Sequence, residues 1–217
     1  MDLLIATRNR GKAAEFRQML EAAGEGGFVY HDLGDVAVGF EPAETARTFR
    51  GNACLKASAY ARHLGSWALA DDSGLVVDAL DGAPGVYSAR FAEIHDAGRG
   101  DAANNAHLLR LMKDVPDERR RARFVCVLAL AEPAGRILYT AEGSVEGRLL
   151  REPRGENGFG YDPLFLIPAL SRTTAELPPD QKHAISHRGA ALRRLQGLIQ
   201  RWGLPFWSKK GERQDSR

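Results

Sequence analysis

The pattern of apolar and polar positions changes period several times along the chain, and each change marks an element. Residues 2–6 form a short apolar run that reads as a buried strand, and residues 7–11 follow as a polar loop. From Lys12 onward Ala13, Phe16, Leu20 and Ala23 recur at helical spacing, and Gly24, Gly26 and Gly27 stop that helix. Strand, polar loop, helix is a common way to build a ligand site at the C-terminal end of a strand. Residues 45–64 predict a second helix with two stripes, ended by Gly65. Phe49, Ala53, Ala57, Tyr60 and Leu64 make an apolar stripe, while Thr48, Asn52 and Lys56, four apart, line a polar one.

Residues 67–70 read as a short apolar strand running into Asp71-Asp72-Ser73-Gly74, followed by an apolar run over 75–80 and a loop over 81–92 broken by glycine and proline. Over 101–115, Ala102, Ala106, Leu109 and Met112 recur at helical spacing. Residues 123–131 are strongly apolar, Pro133-Ala134-Gly135 predicts a turn, and 137–145 is the expected hairpin partner. A glycine-rich stretch covers 152–163, a short strand 164–167, and Ser186 caps a last helix reaching about Trp202. Strands alternate with helices early and pair as hairpins in the middle, which predicts an α/β fold with a mixed sheet. No repeat or linker divides the chain. Residues 1–207 are expected to form one domain and the polar residues 208–217 a disordered tail.

Composition narrows the functional classes. The 217 residues are 44% hydrophobic and 27% charged, as in an ordinary folded domain. A net charge of +2 gives no overall basic field, so no nucleic-acid partner is expected. No stretch approaches the ~20 apolar residues needed to cross a bilayer, and the N-terminus is too short and polar for a signal peptide. The expected location is cytoplasmic, with no membrane partner. Cys54 and Cys126 lie in apolar surroundings without metal-ligand spacing and read as core thiols of a reducing compartment. The chain carries 24 Arg but 6 Lys, and three of those lysines, Lys12, Lys56 and Lys182, fall within the clusters below.

Asp71 and Asp72 are adjacent carboxylates directly after an apolar strand. Carboxylates are hard ligands suited to Mg²⁺, and one can act as a general base toward water; Asp-Ser-Gly is also a common turn sequence. Thr7, Asn9 and Lys12 lie where a strand hands over to a helix N-terminus, a plausible phosphate cradle without the P-loop glycine spacing. Glu44, just ahead of the second helix, could join a metal site or simply favour the helix N-terminus. In Gly158-Phe159-Gly160-Tyr161-Asp162-Pro163 an aromatic ring between glycines could stack on a flat base or plug the core. Lys182 precedes Ile185-Ser186-His187-Arg188-Gly189. Cations at His187 and Arg188 in a helix's first turn are opposed by its dipole, which suggests an anionic or carbonyl-bearing partner.

Taken in order, ATRNRGK, AETARTFRGNACLKA, ADDSGLVVDALDGAPGVYSARFA, GENGFGYDPLF and KHAISHRGAAL resemble the inosine triphosphate pyrophosphatase family over about residues 3–195. The resemblance implies an elongated mixed β-sheet flanked by helices, in two lobes with the active site in the cleft between them. It implies a Mg²⁺-dependent homodimer that hydrolyses ITP, dITP and XTP between the α and β phosphates, keeping aberrant purines out of DNA and RNA. Thr7, Asn9 and Lys12, with Arg8, Arg10 and Gly11 among them, match the family's phosphate-binding loop. Asp72 matches the proton acceptor and metal ligand, with Asp71 beside it, Lys56 a lysine of the phosphate site, and Ser73 a substrate contact. Phe159, Gly160, Tyr161 and Asp162 match the base-binding segment, and Lys182, His187 and Arg188 the residues that hold the nucleotide and read its base. One position departs: Ala43 stands where many members carry a metal-binding acid, leaving Glu44, Glu41 or water to take that role. Rival readings are a pyrophosphatase for other modified nucleotides, a phosphatase with an aspartyl nucleophile, and an inactive nucleotide-binding module.

Overall fold

The computed structural model describes residues 2–22, 29–36 and 38–203. The glycine stop of the first helix and the polar tail lie outside the described residues. Strands β1 (Asp2–Ile5), β2 (Val29–Asp32), β3 (Trp67–Val77), β4 (Arg121–Ala131), β5 (Ile137–Leu149), β6 (Phe165–Ile167) and β7 (Arg172–Thr173) form one sheet, in the order β2-β1-β3-β4-β5-β6-β7. β1 pairs in parallel with β2 and β3, and every later pairing is antiparallel, so the sheet is mixed. Helices α1 (Arg10–Ala22), α2 (Phe49–Leu64), α3 (Gly100–Leu111), α4 (Pro179–Ile185) and α5 (His187–Trp202) flank it.

The period-2 alternation of strand side chains decides which helix covers which face. Leu3, Ile5, Leu69, Cys126 and Leu128 point to one face, where Phe16 and Leu20 of α1 and Leu192, Leu195 and Ile199 of α5 close over them. Each such side chain contributes about 2 kcal/mol by leaving water. Leu4, Ala68, Ala70, Val127 and Ala129 point to the other face, against Ala53, Ala57 and Tyr60 of α2. A third core, built on Leu75, Val77, Leu108, Met112, Phe124, Leu164 and Phe165, fills the end of the sheet near α3. Gly143 on β5 lets α5 press onto the sheet: a Cβ there would sit 2.3 Å from the Ala191 nitrogen and the His187 carbonyl oxygen. The first turn of α5 is thereby fixed beside β3.

The structure corrects the sequence reading in three places. Residues 67–77 are one continuous strand, so Asp71-Asp72-Ser73-Gly74 is strand and not a turn beyond it. Pairing with β4 (Asp71 opposite Leu128, Asp72 opposite Val127) holds this polar stretch extended. In α3 the expected stripe of Ala102 and Ala106 is exposed, and the buried face carries Asn104, His107 and Leu108. Asn104 is tolerated there because it accepts from the Ala92 N–H at 2.8 Å and donates to the Ala89 carbonyl at 3.1 Å. Strands β2 and β7 and helix α4 have no counterpart among the expected elements, and the expected loop over 81–92 contains a 3₁₀ segment, Gly85–Arg90. No helix among the described residues is long and apolar enough to cross a membrane.

Candidate active site

Thr48 caps α2 by accepting from the Gly51 N–H, so the helix begins at Phe49. Asn52 and Lys56 then lie one and two turns on, facing β3. Asn52 donates its side-chain amide to Asp72 Oδ2 at 3.1 Å. Lys56 Nζ lies 2.6 Å from Glu44 Oε1 and 3.5 Å from Asp72 Oδ1. Lys56, Glu44 and Asp72 line a cavity of about 520 Å³, together with Thr7, Arg8, Asn9 and Lys12 from the loop after β1. Within that loop Asn9 caps α1, its Oδ1 accepting the Lys12 N–H at 3.0 Å. Arg8 reaches Glu41 at 3.3 Å and the Phe40 carbonyl at 3.0 Å. Arg10 is exposed and lines neither this cavity nor the next. Ala43 lies on the cavity wall, and both Glu41 and Glu44 lie beside it.

Because strand side chains alternate, Asp71 points to the opposite face from Asp72. Asp71 Oδ2 meets Lys12 Nζ at 2.9 Å and accepts from the Ser73 hydroxyl at 3.0 Å. From Ser73 a chain of charged groups crosses to the glycine-rich segment. Arg188 donates to Ser73 Oγ at 3.1 Å and to Glu15 Oε2 at 2.8 Å. Lys182 donates to Glu15 Oε1 and Asp162 Oδ2, each at 2.7 Å, and Asp162 Oδ2 accepts the Phe159 N–H at 2.9 Å. The Phe159 ring lies under both cations, with Arg188 4.9 Å and Lys182 5.2 Å from its centroid. Gly11 makes room for that ring, since a Cβ there would be 2.6 Å from it. His187 stacks on Phe124, centroids 4.9 Å apart. Ser73, Phe159, Gly160, Tyr161, Asp162, His187 and Arg188 thus surround a slot of about 80 Å³, which adjoins the larger cavity through Asn9, Lys12 and Ser73.

The two faces differ in electrostatics. Burial pushes the Asp71 carboxyl up, but Lys12, Lys56 and Arg188 outweigh it and hold its pKa at about 2. Burial likewise raises Asp72, and there Glu44 adds to it, so Lys56 and Lys12 fail to offset the rise. Burial depresses the Lys56 ammonium, yet Asp71, Asp72 and Glu44 prevail and raise it. Glu15 shows the Asp71 balance: burial raises it, and Arg188 and Lys182 bring it below the usual carboxylate range. His187 is driven well below the usual imidazole value by burial, with Arg188, Lys182 and Lys12 adding to the effect. It is neutral at pH 7, and neither ring nitrogen has a hydrogen-bond partner among the described residues; nor does Arg188 Nε. Buried polar atoms of this kind need a ligand or water to satisfy them.

A hard divalent cation suits the larger cavity. Glu44 and Asp72 bring carboxylate oxygens to one wall, where burial and, after it, the Glu44 charge raise Asp72. No three acidic, histidine or cysteine side chains among the described residues converge as a closed metal cage. Mg²⁺ does not require one, because it is commonly held by one or two carboxylates with water and substrate phosphate.

The sequence model of the Ham1 family matches residues 3–198, which takes in every element of this site. The chain belongs to the Ham1 family. Curated relatives include the dITP/XTP pyrophosphatase of Exiguobacterium sibiricum, 52% identical over 92% of this chain and 97% of that one. The dITP/XTP pyrophosphatase of Pseudomonas aeruginosa is 51% identical over 93% and 97%. Among solved structures, a HAM1 protein from Coxiella burnetii superposes with a TM-score of 0.79 at 40% identity, covering 93% of this chain and 99% of its own. A nucleoside-triphosphatase / dITP/XTP pyrophosphatase from Mycobacterium abscessus gives 0.70 at 46% identity, covering 90% and 98%. The α/β mixed-sheet architecture is therefore that of solved Ham1 structures.

Two residues of this Ham1 site escaped the sequence reading. Glu15, on α1, looks in sequence like any solvated helix acid; the available signal was two cations, Lys182 and Arg188, without an assigned counter-charge. Asn52 was seen as part of a polar stripe, but its partner Asp72 becomes evident only when α2 packs on β3.

Proposed function

We propose that this chain hydrolyses ITP, dITP and XTP to the nucleoside monophosphate and pyrophosphate. The observation that carries the reading is the junction of two unlike compartments through Asn9, Lys12 and Ser73. One is roomy and lined by lysines and carboxylates, and the other is a narrow slot with an aromatic ring and unsatisfied donors. A triphosphate attached to a purine has those two halves. The names of the Exiguobacterium and Pseudomonas relatives support the same reading.

Glu44 and Asp72 would hold Mg²⁺, which supplies charge neutralisation to the phosphates. Asp72 is the general base. Its Oδ2 accepts from Asn52, and its Oδ1, with Lys56 Nζ 3.5 Å away, takes the proton of the attacking water. Lys12 and Lys56 stabilise the phosphate oxygens as the α–β bridge breaks and pyrophosphate leaves. In the slot, Arg188 Nε–H and one N–H of neutral His187 donate to the carbonyl at position 6 of hypoxanthine or xanthine. The amino group of adenine would set donor against donor. The homodimer, the two-lobed division around the cleft and a cytoplasmic location belong to this proposal. The last is supported by the two unpaired thiols, Cys54 and Cys126.

Phosphorus NMR of the products from ITP tests the reading. IMP with pyrophosphate is expected; IDP with orthophosphate would overturn it in favour of a phosphatase.

A further inference from the structure

Helix α3 touches the base-side slot at one point, and the contact is unusual. Asp101 Oδ2 accepts the Gly160 N–H at 2.7 Å, and Asn105 Nδ2 donates to the Gly160 carbonyl at 2.8 Å. The two side chains are four apart on the first turns of α3, so they share a face, and they grip both polar groups of the same residue. Gly160 has φ +64, a left-handed conformation in which a glycine is free to swing between alternatives. Its neighbour Phe159 supplies the ring of the slot. Without the grip, the backbone beside that ring is held by the Phe159 N–H to Asp162 contact, the return bond from the Asp162 N–H to the Phe159 carbonyl at 3.3 Å, and the packing of the ring on Gly11 and under Arg188 and Lys182.

The slot is also narrow. At about 80 Å³ it leaves little room around a flat ring, so small displacements of the segment around Phe159 change the fit of a base. How far that segment moves depends on what anchors Gly160. α3 is a firm anchor: Asn104 bolts it to the backbone at Ala89 and Ala92, and Leu108 and Met112 bury its far end in the third core.

We propose that Asp101 and Asn105 are positioning residues for the base-binding segment, setting where Phe159 stands and hence how tightly the purine is held. This deepens the pyrophosphatase reading and rests on it. Asn105 does not line the slot, so it acts through Gly160. Asp101 lies at the slot's edge, so the pair separates a direct contact from an action through Gly160 better than either residue alone.

The test compares wild type with Asp101→Ala, Asn105→Ala and Asp101→Asn. ITP affinity is measured by calorimetry in EDTA, and KM and kcat by pyrophosphate release with Mg²⁺. Both alanine variants should weaken ITP binding and raise KM about tenfold, with kcat within about twofold and an unchanged melting temperature. Asp101→Asn keeps an acceptor oxygen and should restore affinity to near wild type. Wild-type affinity in both alanine variants would overturn the proposal. So would an effect confined to Asp101, which would mean direct contact with the base, or a parallel loss of kcat and melting temperature, which would mean a merely structural role. Wild-type protein that binds ITP without turning it over would sink the pyrophosphatase reading and leave the calorimetric comparison to judge the latch; wild-type protein that does neither would end both.

Discussion

Asp71 and Asp72 are chemically identical neighbours on one strand, yet they sit in opposite situations. On the α2 face Asp72 opens into a large cavity, its nearest ammonium 3.5 Å away and its proton affinity raised by burial and Glu44. On the α1–α5 face Asp71 is closed in by Lys12, Ser73 and the nearby Arg188, and stays charged down to about pH 2. A carboxylate that faces a cavity and keeps its ammonium at 3.5 Å can take a proton from a water there. One saturated by cations serves to organise them. The strand pleat separates the two carboxylates, and in the proposed reaction it sets Asp72 toward the hydrolytic cavity and Asp71 toward the cations of the base side.

The sharpest way to break this contrast is to neutralise each aspartate in turn. Asp72→Asn should lower kcat by ~10³-fold while the melting temperature holds, because it removes the proposed general base and keeps an oxygen to accept from Asn52. Asp71→Asn leaves Lys12 and Arg188 short of a buried counter-charge. It should therefore act on stability, costing about 3 kcal/mol in denaturant unfolding. Kinetics and chemical unfolding on both variants check this; reversed outcomes would mean that the faces have been assigned the wrong way round.

A smaller effect sharpens the account of the base side. The folded-state pKa of His187 is far below 6.5 while the unfolded value is ordinary, so below pH 6.5 the unfolded chain binds a proton that the fold refuses. Its influence on stability is nil above pH 6.5 and grows unfavourable as pH falls from there toward the depressed value, with a slope of at most about 1.4 kcal/mol per pH unit. Thermal unfolding from pH 8 to 5 should show this decline in wild type and a flatter curve in His187→Gln. Identical curves would mean that the imidazole is not held neutral.

Much of this arrangement was legible in the residues. The strand–loop–helix opening, the polar stripe of α2, the hairpin turn at residues 133–135 and the Ser186 cap are local signals, and local physics decides them. What escaped was set by partners distant in sequence. Asp71-Asp72-Ser73-Gly74 looks like a turn until β4 pairs with it. The buried face of α3 is polar at Asn104 and His107, so hydrophobic periodicity placed Leu109 and Met112 in the core and missed the face at Ala102 and Ala106. Glu15 acquires its role from cations 167 and 173 residues further on.

The central claim is that one compartment performs hydrolysis while the adjoining one chooses the base. Pyrophosphate release from ITP, XTP, GTP and ATP, each with and without Mg²⁺, tests it most directly. The account predicts strong release from ITP and XTP, little from ATP, whose 6-amino group meets donors, and almost none without the metal. Equal release from all four nucleotides, or release that persists in EDTA, would contradict it.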